Sequence, residues 1–498
     1  MKFRRNYPSC LSGQSILPIC SAMILSSGGS CTAREFLSFL NPLFPMKLSK
    51  YLLNLVLLAI VVLPLAGEQI RPNLVVILTD DHGYADVGFN GCEDIPTPHI
   101  DRIAKEGARF TNGYVTHPVC SPSRAGFITG RYQGRFGFRR NPTLSPFDPK
   151  AGLPLEEENI AEILKKVGYH SGIIGKWHLG THPKFRPNVR GFDEFFGFTA
   201  GGHNYFPEDL IYPTIEEVDK KGGWYLTKLL RNETPVEIDE YLTDELSNEA
   251  VDFIDRNSDK PFFLYLSYNA PHTPMQASRK YLDRFMHIED ERRRTYAAMV
   301  SAVDDGVGRV LKKLDELKLD DDTLVFFLSD NGGASNNGSM NTPLRGSKGN
   351  VYDGGMRVPF ALRWAGSVPP GRDFEQPVSS MDILGTMAAL TGVEIAAERP
   401  LDGVNLIPYL KGEAKGPPHD YLFWQMFGKG SQAVRRGDDK LVAIEEGLEL
   451  YDLSDDIDES ENRVKSQMET TLELKAKLDD WTRQLQPPAF DGRGTWNP

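Results

Sequence analysis

The chain has 498 residues, 40% of them hydrophobic and 25% charged, with a formal net charge of -12. These values describe an ordinary globular protein, long enough for one large domain and a smaller one. The acidic balance excludes a general nucleic-acid binder, which would carry a basic face, yet it permits a local basic pocket and an anionic substrate.

From Met46 the chain reads MKLSKYLLNLVLLAIVVLPLAGEQ. Lys47 and Lys50 precede an apolar run from Leu52 to Leu65, and Ala66–Gly67 offer small residues for cleavage. The pattern predicts a signal peptide over 46–67, too short to span a bilayer comfortably, so no stable membrane anchor is expected. Residues 1–45 then read as an over-extended N-terminus. The export machinery would be a partner, and the product would be periplasmic or secreted. Of the five cysteines only Cys92 and Cys120 follow the signal, so the fold is not a disulfide scaffold.

The first strand is predicted at LVVIL (74–78), followed by Asp80 and Asp81 in TDDHG. CSPSRAGFITG (120–130) comes next. Pro122 suits the first turn of a helix, which puts Cys120 at a helix N-terminus, where partial positive charge favours anions. Arg124 adds a cation one turn on, so the setting is an anion cradle holding a reactive sulfur. Leu155, Ile160, Ile163, Leu164 and Val167 mark a helix over 155–168, ended by Gly168. SGIIG (171–175) is a strand leading to Lys176 and His178, which alternation would turn toward one side. Leu242, Leu246, Phe253 and Ile254 mark a helix, and FFLYL (262–266) is a strand leading to His272. A long amphipathic helix covers 295–317, and TLVFFL (323–328) is a strand ending in Asp330 and Asn331. Lys348 lies in the glycine-rich loop LRGSKGNVYDGG.

Strand and helix alternate, which predicts an α/β domain over 68–415 with a large, mostly parallel sheet flanked by helices. Over 416–498 the texture changes to LFWQM, SQAVRRGDDKLVAI and LELYDLSDD with turns between them, then a helix over 467–484 and an extended tail. This predicts a small C-terminal subdomain with an antiparallel sheet.

Ligands of open α/β sheets bind beyond the carboxyl ends of the strands. Asp80–Asp81 and Asp330–Asn331 share a layout: an apolar run, a hydroxyl residue, two oxygen-bearing side chains, then glycine nearby. Either pair alone reads as a turn or cap. Two matched pairs favour a hard cation, Ca2+ or Mg2+.

C-S-P-S-R followed by A-G-F-I-T-G resembles the signature of the type I sulfatases, within the alkaline-phosphatase-like superfamily, and in particular arylsulfatase and N-acetylgalactosamine-6-sulfatase-type enzymes. TDDHGYAD, GKWHLG, APHTP, SDNGG, LRGSKGNVYDGG and ELYDL agree in order, so the resemblance spans roughly residues 70–485. It implies that Cys120 is oxidised to formylglycine by a formylglycine-generating or sulfatase-maturating enzyme. The hydrate of that aldehyde would attack sulfur, and its second hydroxyl would expel sulfate. Asp80, Asp81, Asp330 and Asn331 would bind Ca2+ together with the modified Cys120. Arg124 would orient the hydrate, and Lys176 and Lys348 would clamp the sulfate. His178 would take the proton that starts elimination, and His272, with Lys348, would protonate the leaving oxygen.

Two stretches point to a sulfated carbohydrate substrate. RYQGRFGFRR (131–140) carries four arginines, Arg135 among them, and GFTAGGHNYF (197–206) offers His203. A solvated basic turn and a packing loop are the plainer readings. The rival functions are a phosphate ester or phosphonate hydrolase of the same superfamily and a non-catalytic protein binding sulfated glycan. A cysteine hydrolase would leave the two acidic pairs unexplained.

Overall fold

The structure is a computed structural model and describes residues 71–492 except Lys221. The predicted over-extended N-terminus, the signal peptide and the cysteines before it lie outside the described residues. The strands are β1 (Asn73–Thr79), β2 (Ala108–Phe110), β3 (Gly113–Tyr114), β4 (His170–Lys176), β5 (Glu194–Phe198), β6 (Leu229–Arg231), β7 (Thr234–Val236), β8 (Phe262–Ser267), β9 (Thr323–Ser329), β10 (Phe360–Arg363), β11 (Arg372–Phe374), β12 (Val378–Ser379), β13 (Leu422–Met426), β14 (Ser431–Arg436), β15 (Asp439–Ile444) and β16 (Gly447–Asp452). The helices of six or more residues are α1 (Pro98–Lys105), α2 (Cys120–Thr129), α3 (Ile160–Lys165), α4 (Leu242–Arg256), α5 (Glu291–Leu317), α6 (Asp382–Thr391) and α7 (Met468–Thr482).

Among the described residues, ten strands form one sheet in the order β11-β2-β10-β9-β1-β8-β4-β5-β6-β7. The five central strands, β9-β1-β8-β4-β5, run parallel. Both faces of such a sheet must be covered, which is why β1, β8 and β9 read as unbroken apolar runs. Leu74, Val76 and Leu78 pack on the face covered by α2, α3 and α6. Val75 and Ile77 pack on the opposite face with α1, α4 and α5. The expected α/β architecture is present, and the four predicted strands each extend by one or two residues.

The helix expected over 155–168 is shorter, Ile160–Lys165. Asn159 starts it: its side chain accepts from the Ala161 and Glu162 amides, while the Glu162 side chain accepts from the Asn159 amide, a reciprocal cap. Leu155 stays exposed ahead of the cap.

The C-terminal strands form an antiparallel meander, β13-β14-β15-β16, and α7 covers it through Leu474, Leu478 and Trp481. Among the ties that join this subdomain to the large sheet's loops, two are deeply buried. Trp424 donates its indole N–H to the Val115 carbonyl at 2.7 Å. Lys440, wholly buried, places Nζ 2.6 Å from Asp353 Oδ1 and 2.7 Å from Glu459 Oε1. Glu459 Oε2 accepts from the Asp353 amide at 2.7 Å. Asp353 closes the loop that carries Lys348, so a buried charge cluster in the C-terminal subdomain braces a loop of the large domain.

Candidate active site

Register puts the acidic pairs side by side. β1 and β9 are parallel neighbours with Thr79 opposite Ser329, so Asp80–Asp81 and Asp330–Asn331 leave adjacent strand ends at one level. β8 lies on the other side of β1, and β4 lies beyond it with Gly175 opposite Ser267. Lys176, His178 and the loop bearing His272 therefore leave the same edge of the sheet. Cys120 is the first residue of α2, after Val119 in extended conformation, and the Ser121 amide donates to Asn141 Oδ1 at 3.2 Å.

Opposite charges interlock beneath Cys120. Arg124 donates from Nε to Asp330 Oδ2 at 2.9 Å, with Nη2 at 2.8 Å from the same oxygen. Its Nη1 donates to Ser267 Oγ at 2.5 Å and to the Lys176 carbonyl and Tyr265 hydroxyl, both at 3.2 Å. Lys176 Nζ donates to Asp80 Oδ2 at 2.5 Å, and Lys348 Nζ lies 2.6 Å from Asp81 Oδ1. All of these side chains are buried. Burial raises the Asp81 carboxyl, but Lys348 and His272 outweigh it and bring the group down to about 2. Burial and then the charge of Asp80 raise Asp330 to about 6. Burial pushes the Cys120 thiol up to about 12 despite Lys176 and Lys348. An unmodified Cys120 is thus a thiol rather than a thiolate, which argues against the cysteine-hydrolase reading.

Above this layer a cleft of about 270 Å³ is lined by Asp81, Cys120, His178, His272 and Lys348, with Asn141, Leu144, Trp224, Tyr225, Thr273 and Asn336 among its walls. Asp81 and His178 both sit in the left-handed region, at φ 62° and 57°, which non-glycine residues adopt only when neighbours enforce it. Asn337 Nδ2 donates to the Asp81 carbonyl at 3.1 Å, and Ser121 Oγ donates to the His178 carbonyl at 2.5 Å. His272 Nδ1 lies 2.6 Å from the Thr273 carbonyl, an acceptor only, so Nδ1 carries the proton. Its Nε2 lies 3.7 Å from Asp81 Oδ2. Burial lowers His272 to about 3, and burial followed by Lys176 and Arg124 holds His178 well below the usual imidazole range.

The oxygen donors fit a cation. Asp80 Oδ1 and Asn331 Oδ1 are buried acceptors without a hydrogen-bond donor among the described residues. Asp80, Asp81, Cys120 and His272 each place one ligand-type atom so that all lie within 4.8 Å of one another. Asn331 Nδ2 donates to Asp81 Oδ1 at 2.8 Å, which leaves its carbonyl oxygen as the atom available to a metal. Carboxylate and amide oxygens suit Ca2+ or Mg2+.

The two residues expected to contact sugar lie elsewhere. Arg135 makes a two-pronged contact with Asp402 at 2.8 Å and donates to Gln484 Oε1 at 2.7 Å. His203 is wholly buried, with its ring nitrogens 2.8 Å from the Asn204 carbonyl and 2.7 Å from the Thr227 carbonyl. In that loop it is Gly201 that lines the cleft, where a Cβ would stand 2.6 Å from His178 Nε2; one on Gly202 would stand 2.7 Å from the Tyr225 hydroxyl. Trp224, Tyr225, Asn141 and Leu144 are not singled out by the sequence. Trp224 and Tyr225 lie on one short 3-10 turn, Gly223–Leu226, and Asn141 and Leu144 in irregular backbone, stretches too short to carry a periodic or spacing signal.

The family model described as Sulfatase matches residues 72–393, and that described as N-sulphoglucosamine sulphohydrolase, C-terminal, matches residues 347–485. N-acetylgalactosamine-6-sulfatase of Homo sapiens is 38% identical over 364 residues, covering 69% of this chain and 67% of the relative. Steryl-sulfatase of Rattus norvegicus is 32% identical over 424 residues, covering 71% and 72%. The crystal structure of Ps i-CgsB in complex with k-i-k-neocarrahexaose has a TM-score of 0.81 and 39% identity, covering 85% of this chain and 95% of that one.

Proposed function

Since the chain belongs to the sulfatase family and is a sulfatase, we propose that it removes sulfate from a sulfated carbohydrate, using a formylglycine made from Cys120 beside a Ca2+ site. The observation that carries this reading is the meeting of Cys120 with Asp81, His178, His272 and Lys348 around one cleft. The carbohydrate part draws on that cleft's aromatic lining, Trp224 and Tyr225. It draws also on the similarity to N-acetylgalactosamine-6-sulfatase and to a structure bound to a neocarrahexaose.

Asp80, Asp81, Asp330 and Asn331 would hold the ion next to residue 120. The modified residue supplies a second hydroxyl that lets sulfate leave by elimination, and the bound cation supplies charge that acidifies the attacking hydroxyl. The other roles belong to this chain's own side chains. Lys348 lines the cleft and presents its ammonium to the sulfate oxygens. Arg124 and Lys176 act one layer back, fixing Asp330 and Asp80. His178, neutral and with its backbone fixed by Ser121, takes the proton that starts elimination. His272 lines the cleft with Thr273 holding its Nδ1 proton, which leaves Nε2 for the substrate, and with Lys348 it would deliver the proton to the leaving oxygen.

Maturation requires a formylglycine-generating partner, and the segment from Met46 to Gly67 would direct export. Among the described residues no helix is long and apolar enough to cross a membrane. N-terminal sequencing of protein recovered outside the cytoplasm tests the export step: a start near Glu68 is expected, and a retained Met46 segment refutes it.

The mass of the tryptic peptide Phe110–Arg124 from native-host protein tests the chemistry. Loss of hydrogen sulfide with gain of one oxygen at Cys120 is expected, and an intact thiol in active protein overturns the mechanism. Paired aryl sulfate and aryl phosphate substrates separate the proposal from the phosphoesterase alternative, since faster phosphate turnover would favour the latter.

A further inference from the structure

The stretch RYQGRFGFRR holds four arginines, and the structure separates them into two kinds. Arg131 pairs with Glu157, and Arg135 pairs with Asp402. Arg139 and Arg140 have no carboxylate partner among the described residues. Arg139 spends its donors on neutral acceptors, the side-chain oxygen of Gln425 and the Gln486 carbonyl. Arg140 has its guanidinium 4.7 Å from the centre of the Phe427 ring, and that of Arg139 lies 4.5 Å from the same ring. Two cations thus share one aromatic ring, in a chain where acidic residues outnumber basic ones.

Their place in the fold gives this arrangement a use. Arg140 is followed directly by Asn141, which lines the catalytic cleft and holds the Ser121 amide beside Cys120. Phe427 follows β13, so the pair is anchored between the cleft rim and the C-terminal subdomain. The tail packs against the stem of Arg140, where a Cβ on Gly492 would stand 2.2 Å from Cδ. The residue is half-buried, and its fork of donors is unspent among the described residues. Adjacent like charges repel, and burial together with the charge of Arg140 lowers the affinity of Arg139 for its proton. An anion placed between them would remove that repulsion and find a planar donor fork shaped for an oxyanion.

We propose that Arg140, backed by Arg139 on the Phe427 ring, binds a second sulfate group of the glycan, on the sugar next to the one whose ester enters the cleft. The preferred substrate is then a carbohydrate sulfated on neighbouring sugars. This rests on the sulfated-carbohydrate reading above.

The test is competition against 4-nitrophenyl sulfate hydrolysis by two neocarratetraoses, one with a single sulfate per disaccharide and one with two. The readout is the ratio of their inhibition constants, which cancels any loss of activity common to both. The wild type is expected to bind the doubly sulfated sugar about tenfold more tightly, the preference shrinking as salt is raised. Arg140→Gln and the double variant Arg139→Gln/Arg140→Gln should bring the ratio close to one, and Arg140→Lys should restore part of it. A ratio near one in the wild type, or one retained in the double variant, overturns the inference while leaving the sulfatase reading intact. If neither sugar competes nor loses sulfate, the carbohydrate reading falls, and this inference with it.

Discussion

Replacing Lys440 by Met would test whether the C-terminal subdomain braces the catalytic loop. The side chain is wholly buried, and its ammonium lies 2.6 Å from Asp353 and 2.7 Å from Glu459. Met fills similar volume, so the cost is electrostatic: two carboxylates remain in a dry pocket without their shared cation. Breaking a buried pair typically costs about 3–5 kcal/mol. The lower end applies here, because Asp353 keeps the Tyr114 hydroxyl at 2.7 Å and Arg357 at 3.4 Å. Glu459 can also take up a proton: burial already raises it to about 7 against the pull of Lys440.

The sign of the pH dependence follows. Without Lys440 the folded-state pKa of Glu459 rises further above its unfolded value. The folded variant then binds more protons than the unfolded chain across that window, and its stability falls as pH rises. The deficit of Lys440→Met should therefore be smaller at about pH 5 than at about pH 8. Urea unfolding followed by tryptophan fluorescence measures it, and the double variant with Glu459→Gln should recover at least about 1 kcal/mol relative to additivity. A loss below about 1 kcal/mol at neutral pH, or strict additivity, would refute the reasoning. Because Asp353 closes the Lys348 loop, kcat/KM should fall alongside stability.

Gly201→Ala should cut kcat/KM by about 100-fold with folding retained, since the added methyl group would displace His178, and displacements near 1 Å cost rates of that order; activity within a few-fold of wild type would show that His178 tolerates the shift. His419 touches both Asp382 oxygens, at 2.8 and 3.0 Å, and although burial opposes it, Asp382 raises its pKa above 6.5. Its contribution should be complete below about pH 6.5 and disappear as pH rises through the folded value, so His419→Gln should flatten the melting temperature against pH in that window; an unchanged profile counts against it. Adding Ca2+ to chelator-treated protein at about 100 times its dissociation constant should stabilise it by about 2.7 kcal/mol. Asp80→Asn should weaken that response, and a wild-type melting curve indifferent to Ca2+ would speak against the metal site.

The parts of the fold that are legible in the sequence are those where burial leaves a simple pattern. β1, β4, β8 and β9 are buried along nearly their whole length, so their apolar runs mark them without ambiguity. The short strands β2, β6, β7 and β11 have three residues each, too few for alternation to register; β2 and β11 moreover find their partners across more than 200 residues of chain, Ala108 lying opposite both Leu362 and Arg372. Apolar spacing alone overextends the helix expected over 155–168, because it overrides Asn159, whose capping pattern marks the true start.

The same distinction runs through the site. Asp80, Asp81, Asp330 and Asn331 come just after strands, Lys176 ends β4 and His178 lies two residues beyond it, so reading strand ends singles out these candidates. Arg135 and Arg140 cannot be told apart in that way: both are arginines in one basic, aromatic stretch. What separates them is whether a distant acidic residue arrives to neutralise them. Asp402 reaches Arg135, while the guanidinium of Arg140 lies by the Phe427 ring and meets no carboxylate among the described residues. Local composition reports that a segment is basic, but a binding site needs charge left over after folding, and that remainder depends on contacts hundreds of residues apart. By this measure the proposed second-sulfate contact is a tertiary property, whereas the acidic pairs beneath the cleft are written locally.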